Sequence, residues 1–249
     1  MTASGAIRLR FLGTGASGGT PGRGRSRRRE SSLLVEGPAN VLVDVTRDFT
    51  AQAAGIERID LVLITHAHRD ASGGLGRLDR WLTTRDDDPV PVLAHPGTIG
   101  VLAGRYPGLR RCRLLPTEPG APRRRRGWSL EPLEVPHARD RTGPTCAWRL
   151  RAGDRRLVYA SDVARITPQL ERFARGAAVL VADGATYGRT IFTHLRIDRD
   201  LPALCRFDVG DILLTQIGRS APPHGQLEHV VSRLCARARP AHDGLVVTL

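Results

Sequence analysis

An α/β fold is the architecture this sequence predicts. Short apolar strand-like runs recur in both halves, and helix-length segments separate them. No composition break marks a linker, and no repeat is visible. Strand groups alternating with helices imply helices laid over a mixed sheet core. At 249 residues the chain is long enough to bury a large core, so one domain over residues 1–249 is expected.

The elements follow in order. Ile7 to Leu12 alternates and reads as a strand running into a tight glycine-rich loop, Gly13 to Gly22. Ser31 to Val35 and Asn40 to Val45 form an expected hairpin across Glu36-Gly-Pro-Ala39. Thr46 to Ala54 is helical in composition and stops at Gly55. A strand over Leu61 to Ile64 leads through a histidine-bearing loop to a helix over Leu75 to Leu82. Val90 to Ala94 reads as a strand, Ile99 to Arg105 as a helix, and Pro116 to Gly127 as a flexible loop. Strands are expected at Trp128 to Val135, Thr145 to Arg151, Arg156 to Ala160, Val179 to Ala182, Asp211 to Thr215 and Gly244 to Leu249. Helices are expected at Ile166 to Arg175 and Asp198 to Arg206.

The net charge is +13, and every basic residue is arginine. A positive excess attracts anions, which favours a small anionic, phosphate-bearing substrate. The runs Arg23 to Arg29 and Arg123 to Arg126 leave nucleic acid open as a partner. Neither run is interleaved with aromatics, so solvated loop charge is the favoured reading. No apolar run approaches eighteen residues, so no membrane partner is expected. The start, Met1 to Arg8, lacks the apolar stretch of a secretory signal. Cys112, Cys146, Cys205 and Cys235 are widely spaced and read as reduced thiols of a cytoplasmic protein. A homodimer stays open.

The chemistry concentrates at Leu61-Val-Leu-Ile-Thr-His-Ala-His-Arg-Asp-Ala71. An apolar strand ends in His66, His68 and Asp70. Imidazoles at i and i+2 on an extended turn can converge on one cation, with a carboxylate two residues on. Other polar residues also follow apolar strands: His137, Asp162, Asp183 and Gln216, with His194 shortly after Asp183. Polar groups at successive strand ends mark one rim of a sheet. Asp44 reads either as structural or as a support behind the ligands, and His95, His224, His229 and His242 as loop histidines.

The order His66-x-His68-x-Asp70, His137, Ser161-Asp162 and a strand-end Gln216 resembles the metallo-β-lactamase fold superfamily. Phe11-Leu-Gly-Thr-Gly15, Ile59 to His66, Thr193-His-Leu195 and Ala241-His-Asp-Gly-Leu245 resemble one branch. That branch holds the cyclic phosphodiesterase of phosphonate breakdown, ribonuclease Z and the pyrroloquinoline-quinone biosynthesis B protein. The resemblance implies an αββα sandwich with the site at the top edge of paired sheets. It implies a first metal held by His66, His68 and His137, with Asp162 as the bridging carboxylate. The second metal's partners depart from the pattern: Ala71 and Gln216 stand where histidines are usual. The cysteine-rich zinc loop of some relatives is replaced by Pro21 to Arg29.

The expectation is therefore a mononuclear hydrolase of a phosphodiester or other ester, carrying one zinc ion, with iron or manganese open. Asp70 would orient water, His194 would protonate the leaving oxygen, and Asp183 would orient His194. Two alternatives stand beside it. One is an iron-dependent oxidoreductase or tailoring enzyme like the quinone-biosynthesis B protein. The other is a non-catalytic relic that binds a ligand or partner.

Overall fold

The computed structural model describes residues 6–138 and 142–249; residues 1–5, which carry part of the N-terminal reading, lie outside the described residues. The first half supplies strands β1 (Arg8–Gly13), β2 (Ser32–Glu36), β3 (Val41–Val43), β4 (Leu61–Leu63), β5 (Val90–Ala94) and β6 (Cys112–Pro116). Its helices are α1 (Phe49–Gln52), α2 (Arg69–Ser72), α3 (Leu75–Thr84) and α4 (Pro96–Arg105). The second half supplies β7 (Arg123–Arg125), β8 (Trp128–Val135), β9 (Thr145–Ala152), β10 (Arg155–Ala160), β11 (Ala177–Asp183), β12 (Val209–Thr215) and β13 (Ala238–Pro240). Its helices are α5 (Pro168–Ala174), α6 (Ile197–Leu204) and α7 (His224–Leu234), and β14 (Val246–Thr248) closes the chain.

Two seven-stranded sheets result, in orders β14-β1-β2-β3-β4-β5-β6 and β13-β12-β11-β10-β9-β8-β7. Each sheet is antiparallel on one side and parallel on the other. β14 crosses back to pair with β1, Leu9 opposite Val247. Alternation along single strands explains the layering. Leu61 and Leu63 point into the core between the sheets, while Val62 and Ile64 point outward under the first-half helices. Leu157 and Tyr159 share the inner core, while Val158 and Ala160 face the second-half helices. Strands buried on both faces read as continuous apolar runs, which is what β4, β5 and β11 are. Helix α3 buries Leu75, Leu78 and Leu82, one stripe at helical spacing. The layers run helix, sheet, sheet, helix, as expected.

Four expectations need correction. The Pro116 to Gly127 stretch is not all loop, because Arg123–Arg125 pairs with Trp128 to Leu130 as an edge strand. His224 and His229 lie on α7, and His95 caps α4 by accepting from the Gly97 N–H at 3.0 Å. Arg28 does not hang in solvent; its side chain is buried. Cys205 and Cys235 are not free thiols but form a disulfide, their Cα atoms 5.7 Å apart. The ends of α6 and α7 bring them together, a tertiary convergence that a 30-residue separation does not announce. Among the described residues no helix is long and apolar enough to cross a membrane.

Candidate metal centre

Most of the candidate residues follow the carboxyl ends of strands with a parallel neighbour, where open α/β sheets normally build sites, and His137 follows the antiparallel β8. β4 runs through Ile64 and Thr65 into His66; His68 is the N-cap of α2, and Asp70 lies in its first turn. β8 leads to His137, β10 to Ser161 and Asp162, β11 ends on Asp183, and β12 leads to Gln216. His194 comes from the loop before α6.

His66, His68 and His137 bring one ring nitrogen each to within 4.8 Å of one another. Their ring centroids lie 4.6, 5.2 and 5.6 Å apart. Asp162 joins His66 and Asp70 in a second such group, and His137 and His194 in a third. Asp70 Oδ1 is 3.9 Å from His66 Nε2, and Asp162 Oδ1 is 3.9 Å from His137 Nε2. The sequence-predicted ligands therefore converge on one point.

The outward-facing ring nitrogens are fixed from behind. His137 Nδ1 donates to the Thr193 carbonyl at 2.7 Å, which leaves Nε2 with its lone pair. His66 Nδ1 meets the Thr65 hydroxyl at 2.9 Å, and that hydroxyl donates to Asp44 at 3.0 Å. Asp44 also accepts the Thr65 N–H at 2.8 Å, from a backbone at φ 61°. Asp44 thus holds Thr65 in place behind His66. Partners of this kind orient ligating imidazoles in metal sites.

The donor set fits a cation. His66 Nε2 is buried and has no hydrogen-bond partner among the described residues. Such an orphan costs about 1–3 kcal/mol unless something coordinates it. Burial pushes the His66 imidazole down to about 4 against the pull of Asp162 and Asp70, so it is neutral, as a ligand must be. Burial works to raise Asp162, but the neighbouring imidazoles and the Ser161 hydrogen bond outweigh it and hold the carboxyl below the usual range.

The other side of Asp162 differs. Gln216 Nε2 donates to Asp162 Oδ1 at 2.7 Å, and Ser161 Oγ donates to Oδ2 at 2.5 Å. Gln216 sits at φ 58°, a left-handed conformation that a non-glycine residue holds only when its surroundings enforce it. Its N–H is taken by Ser31 Oγ at 2.9 Å. Ala71 is buried nearby and offers no donor. Gln216 Oε1 is buried without a partner among the described residues, and an amide oxygen is a weak zinc ligand beside imidazole.

His194 Nδ1 lies 2.7 Å from Asp183 Oδ2, and its ring centroid is 4.9 Å from that of His137. Asp183 also accepts the N–H groups of Val163 and Ala185 at 2.9 and 2.8 Å. Burial works to lower His194, but the charge and hydrogen bond of Asp183, with Asp162 and Asp70 beyond, lift it to about 9.

Sequence reasoning missed three supporting residues. Thr65 relays from Asp44 to His66. Glu30 is buried, takes the Gly18 N–H at 2.9 Å and binds Arg47, whose guanidinium also reaches Ser17. Only the lone acidic position in an arginine-rich stretch, Arg29-Glu30-Ser31, could have hinted at Glu30.

Comparison with known proteins places this geometry. Residues 39–217 match the Beta-lactamase superfamily domain. The crystal structure of a new diphosphatase from the PhnP family is 25% identical, covers 98% of this chain and 97% of its own, and superposes with a TM-score of 0.86. Zinc-bound PqqB from Methylobacterium extorquens shares the fold at 22% identity, covering 97% of this chain and 100% of its own, with a TM-score of 0.80. An octanoyltransferase of Porphyromonas gingivalis is 25% identical over 263 residues, 96% of this chain and 51% of that protein. Ribonuclease Z of Mycolicibacterium paratuberculosis is 34% identical over 112 residues, 42% of this chain and 39% of that enzyme. The chain thus spans about half the length of the octanoyltransferase, and its match reaches about two fifths of the ribonuclease.

Proposed function

The chain belongs to the beta-lactamase superfamily, in its metallo-β-lactamase fold, and from that premise we propose that it is a hydrolase with a single metal site acting on a phosphodiester or related ester of a small anionic molecule. One observation carries the reading. Three imidazoles converge around a buried, unpartnered His66 Nε2, beside a second, independently positioned imidazole–carboxylate pair. His66, His68, His137 and Asp162 would hold the ion, zinc in the first instance, with iron or manganese compatible with the same donors. When bound, such an ion supplies Lewis-acid activation of water and of the substrate's oxygen. The Gln216 hydrogen bond to Asp162 supports one ion rather than two.

The protein's own groups divide the remaining work. His194, held protonated near neutrality by Asp183, gives its proton to the departing alkoxide oxygen as the ester bond breaks. Asp70, 3.9 Å from His66 Nε2, orients the attacking water and takes up its proton. The diphosphatase of the PhnP family supports phosphoryl chemistry as the first class to assay. A second reading, cleavage of an acyl ester or thioester, draws on the octanoyltransferase match over 96% of this chain.

The test is metal analysis of protein purified without added zinc, together with hydrolysis of bis(p-nitrophenyl) phosphate and of an octanoyl thioester. One equivalent of metal and phosphodiester turnover that His68→Ala removes are expected. Metal-free wild-type protein, or turnover unchanged in His68→Ala, contradicts the proposal.

A further inference from the structure

The loop that carries His66, His68 and Asp70 is clasped from behind by the end of α4. Pro107 stops that helix, because a proline disfavours helical backbone in the residue before it. Arg105 is the last helical residue and lies one turn beyond the fully buried Leu102, on the same face. Arg105 Nη1 donates to the Ala67 carbonyl at 2.5 Å and to Ser72 Oγ at 3.1 Å. Ala67 is the residue between the two histidines. Ser72 Oγ in turn lies 3.1 Å from the Ala67 carbonyl oxygen and 2.9 Å from that of His68, and shares its proton between them. Tyr106 donates its hydroxyl to the Ser72 carbonyl at 3.0 Å. Two consecutive residues at the end of α4 thus hold both ends of the segment from Ala67 to Ser72.

A guanidinium normally pairs with an acid or faces water. This half-buried one is spent on a carbonyl and a hydroxyl, and hydrogen bonds from a charged donor are the strong ones. What it holds does not hold itself. Helix α2 is a single turn of four residues, and one isolated turn of helix is unstable. On its other flank the Val45 N–H donates to the Ala71 carbonyl at 2.7 Å, and the Gly74 N–H donates to the Val45 carbonyl at 2.8 Å. Ala71 offers no donor on the metal side, so this turn is fixed from the back and the flank.

We infer that Arg105 is a positioning residue for the metal centre. With Ser72 and Tyr106 it fixes the backbone of the loop, so that His66, His68 and Asp70 meet one ion without rearranging. The inference rests on the single-ion reading and deepens it. Charge alone predicts the opposite sign: a guanidinium near a bound cation repels it, so its removal would tighten metal binding. A brace predicts weaker binding.

The experiment measures the zinc affinity of the full-length protein by competition with a chromogenic chelator. It also records the visible spectrum of the cobalt(II)-loaded protein, which reports ligand geometry. Wild type is compared with Arg105→Met, Arg105→Lys and Ser72→Ala, each checked for folding by circular dichroism. Zinc affinity should fall about tenfold or more in Arg105→Met, the usual worth of a group that orients a ligand from behind, and the cobalt spectrum should change. Ser72→Ala should shift both in the same direction. Arg105→Lys should recover part of the loss, since an ammonium can still donate to the Ala67 carbonyl. Unchanged or tighter zinc binding in Arg105→Met, with a wild-type cobalt spectrum, overturns the inference even where the variant melts earlier. If Arg105→Met does not fold, unchanged affinity and spectrum in Ser72→Ala overturn it instead. Wild-type protein that hydrolyses esters while both variants bind zinc normally removes the brace and leaves the hydrolase. The predicted losses in protein that turns over no ester support the brace and remove the hydrolase.

Discussion

The two sides of Asp162 make an instructive contrast. On one side three imidazoles face a shared point, each from a different chain position, with His66 Nε2 left bare in the interior. On the other side the same carboxylate is closed off by the Gln216 amide, and Ala71 contributes no donor. Both sides include buried residues at or just beyond strand ends, with His68 and His137 half-buried, so exposure does not explain the difference. A side chain that loses its ligand role in a buried site must still satisfy its neighbours. Gln216 does so by giving Asp162 Oδ1 a hydrogen bond where a cation would otherwise have neutralised it. Asp162 Oδ1 thus faces His137 Nε2 at 3.9 Å and accepts the Gln216 amide at 2.7 Å, while Gln216 Oε1 stays buried without a partner among the described residues.

Breaking the intact side should have the largest effect. His68→Ala should drop bound metal from one equivalent toward none, and phosphodiester hydrolysis should fall roughly a thousandfold or more, since Lewis-acid assistance is worth several kcal/mol of barrier. Metal analysis and initial rates check this together. Next comes the proton donor. Asp183→Asn should lower the rate about a hundredfold, the usual worth of a positioned general acid. It should also bring His194 down from about 9 toward the ordinary histidine value. The sign follows from the direction of the shift. A raised folded value means the pair's stabilisation is complete below about 6.5 and fades as pH rises through about 9. The rate should decline over that same alkaline limb, and a cation in the neighbouring site would move the limb downward. NMR titration of His194 and a rate profile measure both.

Sharpening the contrast means rebuilding the closed side. Ala71→His/Gln216→His should raise metal content from one to two ions per chain; a ratio that stays at one would mean backbone geometry, not ligand identity, excludes the second ion. The smallest effect belongs to Gln216→Ala, which leaves Asp162 Oδ1 without its donor. Removing a partner from a buried carboxylate costs about 1–3 kcal/mol. Ala and Gln share the left-handed backbone at this position, so strain cancels, and thermal unfolding reads the loss directly.

Much of this was legible in the sequence because the site is written locally. His66, His68 and Asp70 fall within five residues after an apolar run, and each remaining candidate but His194 ends or follows a strand. Strands buried on both faces announce themselves by continuous apolarity, so β5 keeps its expected bounds, and β8 keeps its own because its burial alternates along the strand. The misses share another origin. Arg123–Arg125 forms an edge strand from three charged residues, which only pairing with β8 makes a strand. Helix α7 has buried Leu227 and Val231 at helical spacing, but Pro222, Pro223 and Gly225 mask its start. The Cys205–Cys235 pair and the burial of Arg28 depend on elements that meet only in three dimensions. Charge run and cysteine spacing alone cannot tell a solvated residue from one clamped between distant loops.

The central claim is tested most directly by anomalous diffraction from crystals of the wild-type protein at the absorption edges of zinc, iron and manganese. The account predicts one peak, ringed by His66, His68, His137 and Asp162, with Gln216 still bonded to Asp162. Two peaks flanking Asp162, or none with the three imidazoles turned apart, would contradict it.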